Sequence, residues 1–180
     1  SKTKYKTQLF LSKMPFRSSL NNKTKQPASQ SLSEFACKGL KHKTVLMVLK
    51  STVIQLDALH QAGYGYMRIN GQNIKVHRKE HCLMLTGSRN NDKNTGYGSL
   101  SLEDTKTHDI HQLGCLATWL ALGGEFDIVQ TMDKQQQLHS LKKTSASTTL
   151  INFVSTCFNA TTTTRNLLDK LETVQVRKLK

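Results

Sequence analysis

Two histidines, His77 and His81, lie four residues apart and form the part of the sequence that most resembles a metal site. On a helix this spacing places both imidazoles on one face, where they can share a zinc ion. The segment lies between two predicted strands, however, and the intervening Arg78 and Lys79 repel a cation. We therefore expect no zinc here, and no cofactor is indicated elsewhere.

Other arrangements that support catalysis are missing from the sequence. There is no G-x-S-x-G nucleophile turn, and the two G-x-G pairs, Gly63/Gly65 and Gly96/Gly98, do not extend to the G-x-G-x-x-G of a phosphate loop. The cysteines stand alone, without a C-x-x-C pair, at Cys37, Cys82, Cys115 and Cys157. The last two lie in apolar stretches, which predicts reduced thiols in the core of an intracellular protein.

The length and composition indicate one domain, residues 1–180, with basic tails at 1–6 and 175–180. The chain has 180 residues, 37% of them hydrophobic, and a formal net charge of +14. No apolar run reaches the ~18 residues of a membrane-spanning helix, and the first residues lack the apolar core of a secretion signal. The expected location is the cytoplasm, which would be that of a host cell if the protein comes from a pathogen.

The positive charge is concentrated in the first third of the chain. Residues 1–50 contain eleven Lys/Arg and one acid, Glu34. Such a segment is either a docking surface for an acidic partner or a solvated basic arm, and the sequence leaves both open. Few aromatic residues interrupt it, which disfavours single-stranded nucleic acid as the ligand.

The elements that must position any site are mostly helical. A strand is predicted at 7–13, a loop at 17–31, and a short helix at 31–39 that opens with a capping box formed by Ser31 and Glu34. Apolar residues at steps of three and four predict a helix at 43–61. A hairpin region follows at 68–76, with its turn at Asn70-Gly71, and a second apolar run at 81–86. After a polar loop at 87–98, a buried helix is predicted at 109–122 and three more at 127–138, 148–158 and 162–171.

Five short segments then follow one another in an order that is specific in combination. They are Leu59-His60-Gln61-Ala62-Gly63, Tyr66-Met67-Arg68-Ile69-Asn70-Gly71-Gln72-Asn73, Leu83-Met84-Leu85-Thr86-Gly87, Asp109-Ile110-His111-Gln112-Leu113-Gly114-Cys115, and the pair Leu150-Ile151-Asn152-Phe153 and Arg165-Asn166-Leu167-Leu168. Together they resemble the larger, C-terminal lobe of a eukaryotic-type protein kinase over roughly residues 8–174. The resemblance implies a mostly helical (α+β) fold with a short β-hairpin region.

The resemblance also implies structural roles for three residues. Asp109 matches the acid that opens the central helix and accepts hydrogen bonds from the catalytic-loop backbone, here the amides of 66–68. Gly114 belongs to the same motif. Arg165 matches an arginine that pairs with a buried glutamate of the activation segment, for which Glu103 is the only candidate.

The positions that carry kinase chemistry depart from the pattern. In the degenerate catalytic loop (Tyr66, Met67, Arg68, Asn73), arginine stands where a carboxylate orients the substrate hydroxyl, and Asn73 is either a lone metal ligand or a turn residue. In the degenerate metal motif (Leu85, Thr86, Gly87), leucine stands where a carboxylate holds magnesium. Only about seven residues precede the first predicted strand, too few for the ATP-binding N-terminal lobe, so we expect that lobe to be absent.

These departures favour a catalytically inactive, kinase-like module that binds another protein, such as a kinase, a kinase substrate or a second copy of itself. A basic nucleic-acid- or anionic-surface-binding protein is the alternative, and an enzyme of different chemistry on the same scaffold is the third. The surface uncovered by the missing lobe is expected to include residues 9–11 and residues near Tyr64 and Tyr66. The interaction residues predicted for it are Lys4, Lys6, Phe10, Lys13 and Arg17.

Overall fold

The computed structural model describes residues 29–77, 82–85 and 100–176. Within these ranges the chain forms three short strands and seven helices. The strands are β1 (Ser29–Ser31), β2 (Ile74–His77) and β3 (Cys82–Leu85), and the helices are α1 (Leu32–Phe35), α2 (His42–Gln61), α3 (Leu102–Leu122), α4 (Phe126–Gln130), α5 (Lys134–Lys143), α6 (Thr148–Cys157) and α7 (Thr164–Lys170). The strand predicted at 7–13 and the loop predicted at 87–98 lie outside the described residues. The predicted mostly helical fold with a small β region is confirmed.

Helix α2 forms where apolar residues recur at helical spacing. Its buried stripe includes Val45, Leu49, Val53 and Leu56, and the helix ends before Gly63, whose φ of 84° is costly for residues with a Cβ atom. The predicted bounds differ from the observed ones by one residue at the N-terminus. This helix packs against α3, α7 and β3.

The three strands form one antiparallel sheet in the order β1-β2-β3. The hairpin therefore joins β2 and β3, with Ile74 opposite Leu85, so Asn70-Gly71 is not the turn of this hairpin. Asn70 instead closes a local turn, since its Oδ1 accepts hydrogen bonds from the backbone N–H groups of Gln72 and Asn73. Residues 29–31, predicted as loop, become a strand because β2 offers a free edge beside them.

Helix α3 is the centre of the fold. It is buried on most sides, as predicted, and packs against α2, α4, α5 and α6. It begins seven residues earlier than predicted, after Ser101, whose side chain accepts a hydrogen bond from the Asp104 backbone N–H. It ends at Gly123, whose φ is 75° and whose backbone lies against that of Gly39.

The C-terminal helices complete the core around α3. The helix predicted at 127–138 is two helices, because Asp133 forms a capping box with Gln136 and starts α5. Thr163 caps α7 in the same way with Asn166. In the described part of the chain, no helix is long and apolar enough to cross a membrane.

Candidate functional site

The candidate site is the connection between α2 and β2, residues 64–73, which we call the Arg68 loop. Its sequence is the segment that resembles a degenerate kinase catalytic loop, and one buried carboxylate accepts hydrogen bonds from its backbone. Oδ2 of Asp109 accepts a hydrogen bond from the Tyr66 backbone N–H at 2.8 Å, and Oδ1 accepts one from that of Met67 at 2.6 Å. The Asp109 side chain is 0% exposed.

His60, near the end of α2, supplies a third contact to the same carboxylate. Its Nε2 lies 2.9 Å from Asp109 Oδ2, and the carboxylate accepts this hydrogen bond from the Nε2–H tautomer. The sequence motif contains His60 but assigned it no partner. The signal was available, because His60 lies one turn after Leu56 on the buried stripe of α2.

The contacts of Asp109 include two of the three amides that the resemblance names, but its place in the helix differs from the prediction. Because α3 begins at Leu102, Asp109 is in the interior of the helix rather than at its N-terminus. The helix dipole therefore does not account for its position, and the three hydrogen-bond donors do. Its contribution to stability stays a prediction.

Two glycines bring the Arg68 loop into close contact with its neighbours. A Cβ atom on Gly65 would lie 2.6 Å from Thr105 Oγ1, and one on Gly71 would lie 2.5 Å from Ser33 Oγ and 2.7 Å from Trp119 Cη2. Larger residues at either position would push the loop away from the helices that hold it. The Gly71 carbonyl also accepts a hydrogen bond from the Ser33 backbone N–H.

Met67 adopts a backbone conformation that is unusual for its residue type. Its φ is +62°, in the left-handed region, where a non-glycine residue costs of order 1–3 kcal/mol. The Asp109 hydrogen bonds on its own amide and on that of Tyr66 hold it there. The next residue, Arg68, is exposed to solvent as a result.

Asn73 takes part in the loop's own hydrogen bonding. Its Nδ2 donates to the Arg68 carbonyl at 3.2 Å, its backbone N–H donates to Asn70 Oδ1, and its carbonyl accepts from the Tyr66 hydroxyl. These contacts fit the interpretation of Asn73 as a turn residue. In the degenerate metal motif, Leu85 ends β3, and Thr86 and Gly87 lie outside the described residues.

No group of three or more His, Cys, Asp and Glu side chains suited to a metal ion occurs within residues 29–77, 82–85 and 100–176. The backbone of His77 ends β2, whereas residues 78–81 are not described. The histidine pair of the sequence analysis therefore lies partly outside the described residues.

The partner predicted for Arg165 is wrong. Its guanidinium lies 3.2 Å from Asp57 Oδ2 in α2, whereas Glu103 pairs with Lys106 one turn along α3. Asp57 also accepts a hydrogen bond from the Thr164 hydroxyl at 2.8 Å and is 4% exposed. Sequence reasoning missed Asp57, although a single acid on the apolar face of α2 signals a buried partner.

Gly114 and the nearby thiols belong to the packing of α3 against α6. A Cβ atom on Gly114 would lie 2.8 Å from Cys157 Cβ, so only glycine allows this approach of the two helices. Burial raises the pKa of the Cys115 and Cys157 thiols, which keeps both protonated and unreactive at neutral pH. Cys37, in contrast, is exposed.

The predicted interaction residues Lys4, Lys6, Phe10, Lys13 and Arg17 lie outside the described residues, as do residues 9–11. Of the two tyrosines near which the same surface was expected, Tyr64 is half-buried and Tyr66 is 3% exposed. The Tyr66 ring lies in the core, whereas its neighbour Arg68 is exposed, and the binding edge around these residues stays a prediction.

The arrangement as a whole is a rigid loop that presents a cation. The carboxylate at its centre, Asp109, is buried and accepts three hydrogen bonds, so it is not available to a substrate. Arg68 faces solvent on this loop, and its side chain has no proton-accepting group.

A search of solved structures identifies a protein with a similar fold. The chain is similar to the PAN3 pseudokinase of Drosophila melanogaster, with a TM-score of 0.64 and 19% sequence identity over 82% of this chain and 41% of that one. The fold is kinase-like. The chain spans less than half the length of that protein. No family model and no curated protein matches the sequence.

Proposed function

We propose that the chain is a kinase-like module that does not transfer phosphate and acts by binding another protein. One observation carries this proposal: a loop held by buried hydrogen bonds exposes Arg68, at the position that the sequence resemblance matches to a catalytic carboxylate. Phosphoryl transfer requires a group that orients the attacking hydroxyl and carboxylates that hold magnesium. Arginine supplies neither.

The intact scaffold supports a binding role. A loop held by buried hydrogen bonds and close glycine contacts is a preorganised surface, and preorganisation lowers the entropic cost of binding a partner. The similarity to a pseudokinase concerns the fold, and it fits a kinase-like module without catalytic activity. A kinase, a kinase substrate or a second copy of the chain are the partners that this proposal favours.

The test is the response to ATP and magnesium. The full chain is expected to show no Mg²⁺-dependent rise in Tm with millimolar ATP and no transfer of labelled phosphate to itself or to a generic protein substrate. The double variant Arg68→Asp/Leu85→Asp is measured beside the parent chain. It places a carboxylate at each of the two positions where the kinase pattern has one. A reproducible increase of several degrees for the parent chain, ~1–2 kcal/mol by linkage, would contradict the proposal.

Nucleic-acid binding is the second candidate, and the charge distribution is what favours it. Lys/Arg and Asp/Glu nearly balance among the described residues, so most of the net charge of +14 lies outside them, chiefly in residues 1–28. Binding of labelled single-stranded and double-stranded oligonucleotides between 50 and 200 mM salt would decide. An affinity that falls steeply with salt supports this candidate, and no measurable binding removes it.

A further inference from the structure

We propose that Arg68 anchors a binding site for an oxyanion, a carboxylate or a phosphate, carried by a partner protein. This inference rests on the proposed function for the existence of a partner, and it goes further by naming the chemical group that the Arg68 loop recognises.

The first observation is that the Arg68 guanidinium is unpaired within the described part of the chain. It is exposed and has no acidic oxygen within 4.0 Å there. The contrast with Arg165 is direct, because that guanidinium pairs with Asp57. In the sequence, no acid occurs between Asp57 and Glu80, so the local segment offers Arg68 no carboxylate.

The second observation is that the backbone beneath Arg68 is fixed on both sides. The two preceding amides donate to Asp109, and the Arg68 carbonyl accepts a hydrogen bond from Asn73 Nδ2 at 3.2 Å. An arginine on a mobile loop would lose backbone freedom when it binds. Here the backbone is already ordered, so binding needs to order only the side chain.

The third observation is the backbone conformation of Met67. Its φ of +62° is a strained state, and such states persist where the surrounding contacts determine them. The strain has no catalytic group to position, because the residue that follows is arginine. Strained residues cluster at sites that bind ligands. The residue that directly follows Met67 is Arg68, so the side chain at this strained point of the loop is a guanidinium.

The chemistry of the guanidinium defines the ligand. Its planar set of N–H donors matches the two oxygens of a carboxylate or two of the oxygens of a phosphate, in a bidentate arrangement that lysine cannot reproduce. An acidic side chain and a phosphorylated side chain share this geometry. The ligand is therefore an oxyanion on a peptide segment, and the two sources differ only in the group attached.

The experiment uses the full chain and an immobilised library of seven-residue peptides. One central position is varied among Asp, Glu, phosphoserine, phosphotyrosine, and the neutral Asn, Gln, Ser and Tyr. The expected result is a preference for acidic or phosphorylated residues at that position. If the phosphorylated peptides bind more strongly than the Asp and Glu peptides, the source of the oxyanion is a phosphate. If the Asp and Glu peptides bind more strongly, the source is a carboxylate.

Variants separate a specific anchor from general charge attraction. On the best peptide, labelled for fluorescence anisotropy, Arg68→Ala is expected to weaken binding at least tenfold, and Arg68→Lys to restore only part of it. Lys142→Ala removes the same charge from an exposed position on α5 and is expected to change binding less than twofold. Because Arg68 is exposed, its variants should unfold at the parent's Tm, and a thermal melt checks this.

Two results would overturn the inference. One is a library in which the parent chain shows no preference for acidic over neutral residues. The other is a preference that Arg68→Ala retains. Either result leaves the proposed function standing if the chain is inert to ATP and magnesium, whereas phosphate transfer in that assay contradicts the proposed function itself.

Discussion

Asp109 shows how a single side chain can define the shape of a functional loop. Its two oxygens accept hydrogen bonds from two successive backbone amides and from His60, and its side chain is fully buried. The Asp109 carboxylate replaces the hydrogen bonds that the Tyr66 and Met67 amides and the His60 ring would otherwise make with solvent. Without it, the left-handed conformation of Met67 would have no support, since the amide of that residue is one of the donors.

Replacing Asp109 with alanine should therefore destabilise the protein. Leaving the amides of Tyr66 and Met67 without an acceptor is expected to lower the free energy of unfolding by ~1–3 kcal/mol, as measured by urea denaturation. Asp104→Ala is the control, because this acid lies on the same helix but is exposed, and its effect should stay within ~0.5–1 kcal/mol. Equal stability of the Asp109 variant and the parent would show that these hydrogen bonds are not what holds the loop.

The sequence motif pointed to the backbone donors of Asp109 but did not predict the partner of Arg165. The two cases differ in what the pairing depends on. The contact between Asp109 and residues 66–67 follows from a recurring loop and helix arrangement that a motif encodes. The Arg165–Asp57 pair depends on how α7 is seated on α2, which no local pattern specifies.

At the scale of elements, α2 and α7 are joined by a set of polar contacts across an otherwise apolar interface. Asp57 accepts from the Thr164 hydroxyl and pairs with Arg165, while Lys50 Nζ donates to the carbonyls of Glu172 and Val174, beyond the end of α7. The contacts at Asp57 are not equivalent, because Thr164 is buried and the Arg165 side chain is 55% exposed. Burial should decide which of them contributes most to stability.

Three single variants test that order. Arg165→Ala should lower the free energy of unfolding by less than ~1 kcal/mol, because the Arg165 side chain is 55% exposed and solvent screens its attraction to Asp57. Thr164→Val keeps the shape but leaves Asp57 Oδ1 without its hydroxyl donor, and Asp57→Ala leaves that hydroxyl unpaired, so each should cost ~1–3 kcal/mol. A thermal or urea denaturation series measures all three. A larger loss for Arg165→Ala than for Thr164→Val would mean that the ion pair, and not the buried hydrogen bond, joins the helices.

The ends of a helix could be predicted where apolar residues recur at helical spacing up to those ends. Where this spacing stops short of the end, the boundary was not predicted. Helix α2 has apolar residues along its whole length, so its bounds were predicted closely. The first two turns of α3 have a single apolar residue, Leu102, and periodicity therefore placed the start too late. The missed signal was chemical: Ser101 as the cap and Glu103 and Asp104 in the first turn, which favour a helix start electrostatically.

At the scale of the whole molecule, most of the net positive charge lies outside the residues that the structure describes. The described residues are nearly neutral, whereas residues 1–28 contain seven Lys/Arg and no acid. Such an asymmetry acts mainly on association, because a positive segment increases the rate at which an acidic partner arrives. It says little about the fold, which is why composition indicated a binding function while leaving the partner's identity open.

The N-terminal segment is accordingly expected to control binding kinetics. Reversing charge at Lys4, Lys6 and Lys13 to glutamate should slow association by about tenfold at low salt, because steering depends on long-range attraction. Phe10→Ala should instead speed dissociation, because an apolar anchor acts after contact is made. Surface plasmon resonance against the partner recovered with the full chain measures both rates, and sedimentation velocity replaces it if the chain associates with itself.

The control for these variants is charge reversal at three lysines that are exposed in the described fold, Lys41, Lys142 and Lys143. It changes the net charge equally and should affect association less. If deletion of residues 1–13 left a folded protein with unchanged binding, the N-terminal segment would not be the binding edge, and the interface would have to lie on the helical face of the described fold.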